Sequence, residues 1–318
     1  MLRRSRVTLI LKDFRGNFAY NLMDANKRRF ASEVPFLVQW DDHETRNNWY
    51  PGEIIGIEAY AQEPSASLLS AWAKRAMFEY NPFRISALDS ERVYRSLSYG
   101  PLLEVFMLDE RSYRGPNTRN LQTEGSARTA FLGEEQVLWQ KHALRRSPAT
   151  WKVSASDMPL SLHVPDGNPD VPPGTWEAWA NGNHGEPRGR ELEIVDILRF
   201  IQAQDIKNVV WVTADVHYAS AIFYDPKAKF TEFKPFWEFV AGPINAGTFG
   251  PNQIDATFGP EVKFQSVQAG APANRPPTDG LQFFGYATID GASRVLTVSL
   301  RDVHHTVLYT VELPPEGA

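Results

Sequence analysis

The sequence predicts an α/β fold built on a largely parallel sheet. Two observations carry this: short apolar runs that read as buried strands alternate with amphipathic helical stretches, and each of four such runs stops at, or within two residues of, an aspartate. A third feature is the tail, residues 281–313, which reads as an antiparallel meander without a helix.

Taken in order, Val34 to Trp40 is the first apolar run. Residues 66–79 follow as a helix with Leu69, Trp72 and Ala76 on one face. Leu102 to Leu108 is the second run, and residues 134–146 are a helix that begins acidic and ends basic, as the helix dipole favours. Trp151 to Ala155 and Val209 to Thr213 are the remaining runs. Between them, residues 190–203 place Ile194, Ile197, Leu198 and Ile201 on one stripe. The tail carries strands at 281–289, 295–302 and 307–313, the first two joined by the turn Asp290-Gly291-Ala292-Ser293. It is too short to bury a core alone and should extend the same domain, so 1–318 is expected to be a single domain. Residues 164–190 and 241–280 read as long loops, the first holding Trp176 and Trp179. Thr248-Phe249-Gly250-Pro251 and Thr257-Phe258-Gly259-Pro260 read as two similar turns.

Composition narrows the function. Of 318 residues, 42% are hydrophobic and 22% charged, which is globular. The 33 basic and 38 acidic residues leave a net charge of −5, a poor match to nucleic acid. No apolar run is long enough for a membrane span. With no cysteine, disulfides, thiolate metal sites and cysteine nucleophiles are excluded. Val7 to Leu11 is too short for the apolar part of a signal peptide, so no export signal is evident and the compartment stays unassigned.

The strand ends are where chemistry is expected, since open α/β sheets bind ligands there. Trp40 leads into Asp41-Asp42-His43-Glu44, Leu108 into Asp109-Glu110-Arg111, Ala155-Ser156 into Asp157, and Thr213-Ala214 into Asp215-Val216-His217. If these runs are neighbours, several carboxylates and two histidines converge, and a cation would relieve their repulsion. Mixed Asp/His ligation suits Zn, Mn or Fe, and a carboxylate-rich site also suits Ca or Mg. An aspartate after a strand also serves as a turn or helix cap, the plainer role for any one of them. Asp215 and His217 are the stronger pair, as alternate strand residues share a side. Asp109 is expected to be structural, pairing Arg111 or Arg114. His142 falls in a helix, His304 and His305 in a turn, His184 on the surface, and His163 has no assignment. There is no nucleophile elbow, P-loop or dinucleotide fingerprint, and a glycosidase would leave His43 and His217 unexplained.

Several stretches together resemble the PhoD-like alkaline phosphatase/phosphodiesterase family, within the calcineurin-like metallophosphoesterases. They are residues 36–53 (FLVQWDDHETRNNWYPGE), 108–116, 151–160, 177–201, 209–226 and 236–252. The resemblance spans nearly the whole chain. It implies a four-layer α/β/β/α sandwich and a two-metal centre, with Ca, Fe, Zn or Mn, that hydrolyses phosphate mono- or diesters. By position it implies Asp42, Asp157, Asp215 and His217 as metal ligands and His43 as the partner of the phosphate or leaving group. Asp41, Asn47, Asn48, Arg111 and Arg114 are candidates for metal or phosphate contact. For the two arginines a structural salt bridge is an equal alternative.

The resemblance has one departure. Residues 12–34 look like the helical region that precedes the Asp-Asp-His block, and no Gly-Asp segment comes before it. The sandwich is therefore expected to be N-terminally incomplete, with a homo-oligomer or a partner chain as candidates for completing the sheet. The alternative function is a weakly active or inactive metal-binding or interaction protein derived from the family. The expected partner is otherwise a small-molecule phosphate ester.

Overall fold

The apolar runs at 102–108, 151–155 and 209–213 become neighbouring parallel strands, which brings their carboxyl ends to one edge. The computed structural model describes residues 7–168, 171–227 and 229–317. Among these, the chain forms α1 (Leu11–Asn21), α2 (Ala25–Glu33), α3 (Ala66–Tyr80), β1 (Arg95–Tyr99), β2 (Leu103–Met107), α4 (Glu134–Arg146), β3 (Trp151–Ala155) and α5 (Glu191–Ala203). It continues through β4 (Val209–Thr213), β5 (Ser220–Tyr224), β6 (Phe236–Val240), β7 (Pro260–Gln265), β8 (Phe283–Ile289), β9 (Leu296–Asp302) and β10 (Val307–Leu313). No helix among the described residues is long and apolar enough to cross a membrane.

The strands make a seven-stranded mixed sheet, β1-β2-β3-β4-β6-β5-β7, and a three-stranded antiparallel sheet, β10-β9-β8. β2, β3, β4 and β6 are parallel, and β1, β5 and β7 add in antiparallel sense. The central strands are buried on both faces, as their unbroken apolar runs require. One face meets α4 and α5, whose Val137, Leu144, Ile194, Ile197, Leu198 and Ile201 pack with Phe106, Trp211 and Ile222. The other face meets the small sheet, where Val210, Ala221 and Phe239 pack with Phe283, Leu296, Val298 and Leu300. Trp151 Nε1 donates to the Arg294 carbonyl at 2.7 Å and ties the two sheets together. A further cluster joins α1 and α3 to Trp40, Trp49 and Ile55.

The helices form for local reasons visible in the chain. α3 is capped by Ser65, whose Oγ accepts from Leu68 N. α4 has Glu134 and Glu135 in its first turn and Arg145 and Arg146 in its last. Two expectations need correction. Val34 to Trp40 is extended but is not a strand. Pro35 lacks a donor and Val34 and Leu37 are exposed, so the run makes no ladder, although Val38 and Trp40 pack inward against α1 and α3. Instead it crosses the sheet edge, where Gln39 Nε2 donates to the carbonyls of Leu108 (2.8 Å) and Ala155 (3.0 Å). Residues 241–280 are not all loop, since β7 lies within them. It is an exposed edge strand with little apolar pattern, as is β1, which the sequence analysis also missed.

Glu238 on β6 is fully buried in the helix-facing core. It accepts from Tyr224 Oη, Thr213 Oγ1 and Leu160 N. Burial pushes its carboxyl up to about 7, although those hydrogen bonds pull it down. The folded chain thus holds this proton more tightly than the unfolded one. The resulting stability is full below the ordinary value of 4.5 and is lost as pH rises through about 7. Across that window the loss is about 3 kcal/mol. Glu238→Gln, which can still bond Tyr224 and Thr213, should flatten the dependence by that amount. Denaturant unfolding of both proteins at pH about 5 and about 8 checks it. An equal fall in stability in the two proteins contradicts it.

Candidate metal centre at the strand ends

Residues 109–111, 157 and 215 follow β2, β3 and β4, and the crossing segment delivers Asp41 and Asp42 to the same edge. One carboxylate oxygen from each of Asp41, Asp42 and Asp215 lies within 4.8 Å of the others. Asp42 is buried; its Oδ2 accepts from Asn48 N at 2.7 Å, while its Oδ1 has no hydrogen-bond partner among the described residues. Asp41 N is held by Glu44 Oε2 at 2.8 Å. Asp215 and His217 both adopt left-handed backbone, with φ of 59° and 61°. Such strain costs on the order of 1–3 kcal/mol and collects at functional sites. β4 ends at Thr213, so Asp215 and His217 lie on this strained turn beyond the strand and not in the strand alternation the sequence suggested.

Arg111 sits at the centre of this charge. It is fully buried, with Nε donating to Asp41 Oδ1 (2.9 Å) and Asp157 Oδ2 (3.0 Å). Its Nη1 pairs with Glu177, and its Nη2 is 4.0 Å from Asp215 Oδ1. Arg114 is also buried and donates to the Glu177 carbonyl and to Asn117 Oδ1, each at 2.7 Å. Arg111 is thus ion-paired, while the nearest carboxylate oxygen to Arg114, on Glu177, is 3.8 Å from its Nη1. The guanidinium of Arg111 is inside the protein and committed to carboxylates.

One cation does not balance the group. Burial, and then Glu110 and Asp41, push the Asp157 carboxyl well above the usual range. Burial, and then Asp41 and Glu177, do the same to Asp215. Burial would also raise Asp41, but Arg111 and the local hydrogen bonds prevail and hold it at about 2. Asp157 Oδ1, like Asp42 Oδ1, is buried without a hydrogen-bond partner among the described residues. Close, partly unpaired carboxylates of this kind fit a bound cation, which would neutralise what Arg111 leaves over.

The remaining predicted residues fall around the cluster. His217 lies outside the 4.8 Å set. Its Nδ1 is 2.6 Å from the Gly247 carbonyl. A carbonyl only accepts, so Nδ1 carries the proton and Nε2 keeps its lone pair, the tautomer a metal ligand needs. His43 is exposed, with Nε2 3.8 Å from Asp42 Oδ1. Asn47 is exposed. Asn48 fixes Asp42 through its backbone N–H, and its side-chain amide donates to the Asp166 carbonyl. Asp109 is fully buried and accepts from Trp40 Nε1, Arg111 N and Ser112 N, the structural role expected of it. A cavity of about 220 Å³ lies at the other end of β3, β4 and β6, lined by Trp151, Leu198, Val209 and Trp237. It holds no cluster of carboxylates and histidines.

With this geometry in place, comparison with known proteins identifies the lineage. The signature of the PhoD-like phosphatases matches residues 2–300. The chain belongs to that family. Alkaline phosphatase D of Bacillus subtilis (strain 168) is 30% identical over 258 residues, which is 77% of this chain and 42% of that protein. The chain thus spans less than half of this curated relative's length. A solved structure described as the structure of PhoD superposes with a TM-score of 0.61 at 24% identity, covering 94% of this chain and 60% of that one. The shared fold is a mixed α/β architecture with a large mixed sheet and a C-terminal three-stranded sheet.

Around this cluster, sequence reasoning missed Glu110, Glu177 and Arg190. Glu110 is buried and bonds Ser156 Oγ and Met158 N, which sets the turn carrying Asp157. Arg190 is buried and donates through Nη1 to the carbonyls of Trp176, Glu177 and Ala178, holding Glu177 against Arg111. Gly189 permits this approach: its φ is +59°, and a Cβ there would lie 2.5 Å from the Asn120 carbonyl oxygen. Clustered polar residues in a long, otherwise irregular segment were the only signal.

Proposed function

We propose that this chain hydrolyses phosphate mono- or diesters with metal ions held at the strand-end carboxylates. The single observation that carries the reading is the Asp41–Asp42–Asp215 cluster. Its oxygens lie within 4.8 Å of one another, and Asp42 presents a buried, unpartnered Oδ1. The name of the Bacillus relative, alkaline phosphatase D, supports the reaction class.

In this reading Asp41, Asp42 and Asp215 hold the metal, with His217 offering Nε2 and Asp157 close by, sharing the Nε of Arg111 with Asp41. Mostly oxygen donors with one imidazole suit Ca, Mn, Fe or Zn, and the resemblance implies two ions. Ions bound there supply Lewis acidity toward phosphate oxygens and an activated water for in-line attack. The protein's own groups do the rest. Arg111 holds Asp41 and Asp157 in place by donating from one Nε to both carboxylates. His43, exposed with Nε2 3.8 Å from Asp42 Oδ1, would donate a proton to the leaving oxygen. Asn48 keeps Asp42 oriented. The reading also takes residues 1–318 as one phosphatase domain and treats the helix, sheet and small sheet as three layers of the family's four-layer sandwich.

The test is cleavage of an aryl phosphate monoester and of an aryl phosphate diester before and after exhaustive chelation. Turnover should vanish with the metal and return on reloading. Activity that survives chelation undiminished would sink the proposal. The faster of the two substrates assigns the ester class.

A further inference from the structure

The long segments after β3 and β6 meet in a second group of donors, distinct from the strand-end carboxylates. Residues 161–163 and 253–255 run antiparallel, with Asp255 N donating to the Ser161 carbonyl (2.7 Å) and His163 N to the Gln253 carbonyl (2.8 Å). Leu162 pairs with Ile254 in this bridge. His163 and Asp255 consequently project to the same side. The loop at 181–185 then lies across them. Gly182 N donates to Asp255 Oδ2 at 2.8 Å, and His184 is brought over His163 with ring centroids 5.4 Å apart. Gly182 has φ of +75°, and a Cβ there would meet the Trp176 ring at 3.0 Å and His163 Cε1 at 3.4 Å. Only glycine lets the loop come this close.

One ligand atom from each of His163, His184 and Asp255 lies within 4.8 Å of the others. The group is not explained as a hydrogen-bond network. His163 is 6% exposed, and its Nε2 has no hydrogen-bond partner among the described residues. The nearest carboxylate oxygen, Asp255 Oδ2, is 3.6 Å away, outside hydrogen-bonding range. A buried ring nitrogen left so is unfavourable, since it has lost water and gained no partner. Asp255 is 1% exposed, with Oδ1 bound by Thr257 N and Oγ1. Its Oδ2, facing His163, takes one N–H and keeps a lone pair. His184 is exposed, and its Nδ1 has only a long contact from Ala256 N, at 3.3 Å, which it can give up cheaply.

We propose that His163, His184 and Asp255 form a second metal site, for a divalent transition-metal ion of the zinc class, which pins the loop leading to Glu177. Two imidazoles and one carboxylate are a donor set that zinc accepts, and the exposed side at His184 admits water as the fourth ligand. The ion would satisfy His163 Nε2 and clamp three segments that the chain otherwise joins by few bonds. The site does not depend on the phosphatase reading.

The test is zinc bound per chain by elemental mass spectrometry, after equilibration with Zn²⁺ and desalting, in wild type and in His184→Ala. His184 is exposed and outside the strand-end cluster, so the variant should fold and keep its activity. Metal at the strand ends is common to both proteins and cancels. The expected result is one zinc fewer per chain in the variant, together with a zinc-dependent rise in melting temperature that is larger in wild type than in the variant. Equal zinc content and equal thermal response would overturn the site. Cobalt substitution gives a second readout: visible absorption of a tetrahedral ion should be present in wild type and absent in His184→Ala.

Discussion

Asp215→Asn should lower turnover of an aryl phosphate ester by about 10²–10³-fold while leaving the fold intact. The substitution removes one charge and changes almost no volume. Asparagine tolerates left-handed backbone, so the φ of 59° at this position is kept. Stability should therefore change little, or rise, because the carboxyl is pushed up by burial and by Asp41 and Glu177. Loss of activity without loss of stability is the signature of a group retained for function at the expense of the fold. Steady-state kinetics and thermal melting on the same preparation check it. Full activity in the variant would remove Asp215 from the site.

Arg111→Met should destabilise the protein by about 3–5 kcal/mol. The guanidinium lies within reach of Asp41, Asp157, Glu177 and Asp215, and its own burial is complete. Removing it leaves Asp41, Asp157 and Asp215 facing each other, with Arg114 reaching only Glu177, at 3.8 Å. Arg111→Lys should fall between the two, since an ammonium keeps the charge but cannot fork toward Asp41, Asp157 and Glu177 together. Denaturant unfolding of the three proteins measures the order. A methionine variant within about 0.5 kcal/mol of wild type would show that Arg111 is not the counter-ion of this centre.

The parts of the fold that periodicity dictates were legible in the chain. α4 occupies the range its charge asymmetry indicated, and β3 and β4 fall where the buried runs lie. The small sheet follows its turn and alternation. Val34 to Trp40 misled because apolar content alone does not make a strand: Pro35 and two exposed aliphatics show a segment used as a bridge. β1 and β7 escaped because exposed edge strands carry little apolar pattern. For the site, the aspartates at the strand ends were visible because topology carries strand ends to one edge. Glu177 and Arg190 were not, since their meeting with Arg111 depends on the path of a long loop. His163 and His184 show the same limit, being 21 positions apart and brought together with Asp255 only by the path of the chain.

The most direct test of the central claim is metal content and ester turnover measured on the same samples of wild type, Asp42→Asn and Asp215→Asn. The account predicts that both variants lose bound metal and turnover together, because Asp42 Oδ1 and the Asp215 carboxylate belong to one ligand cluster. Variants that keep the wild-type metal content and cleave the ester at the wild-type rate would contradict it.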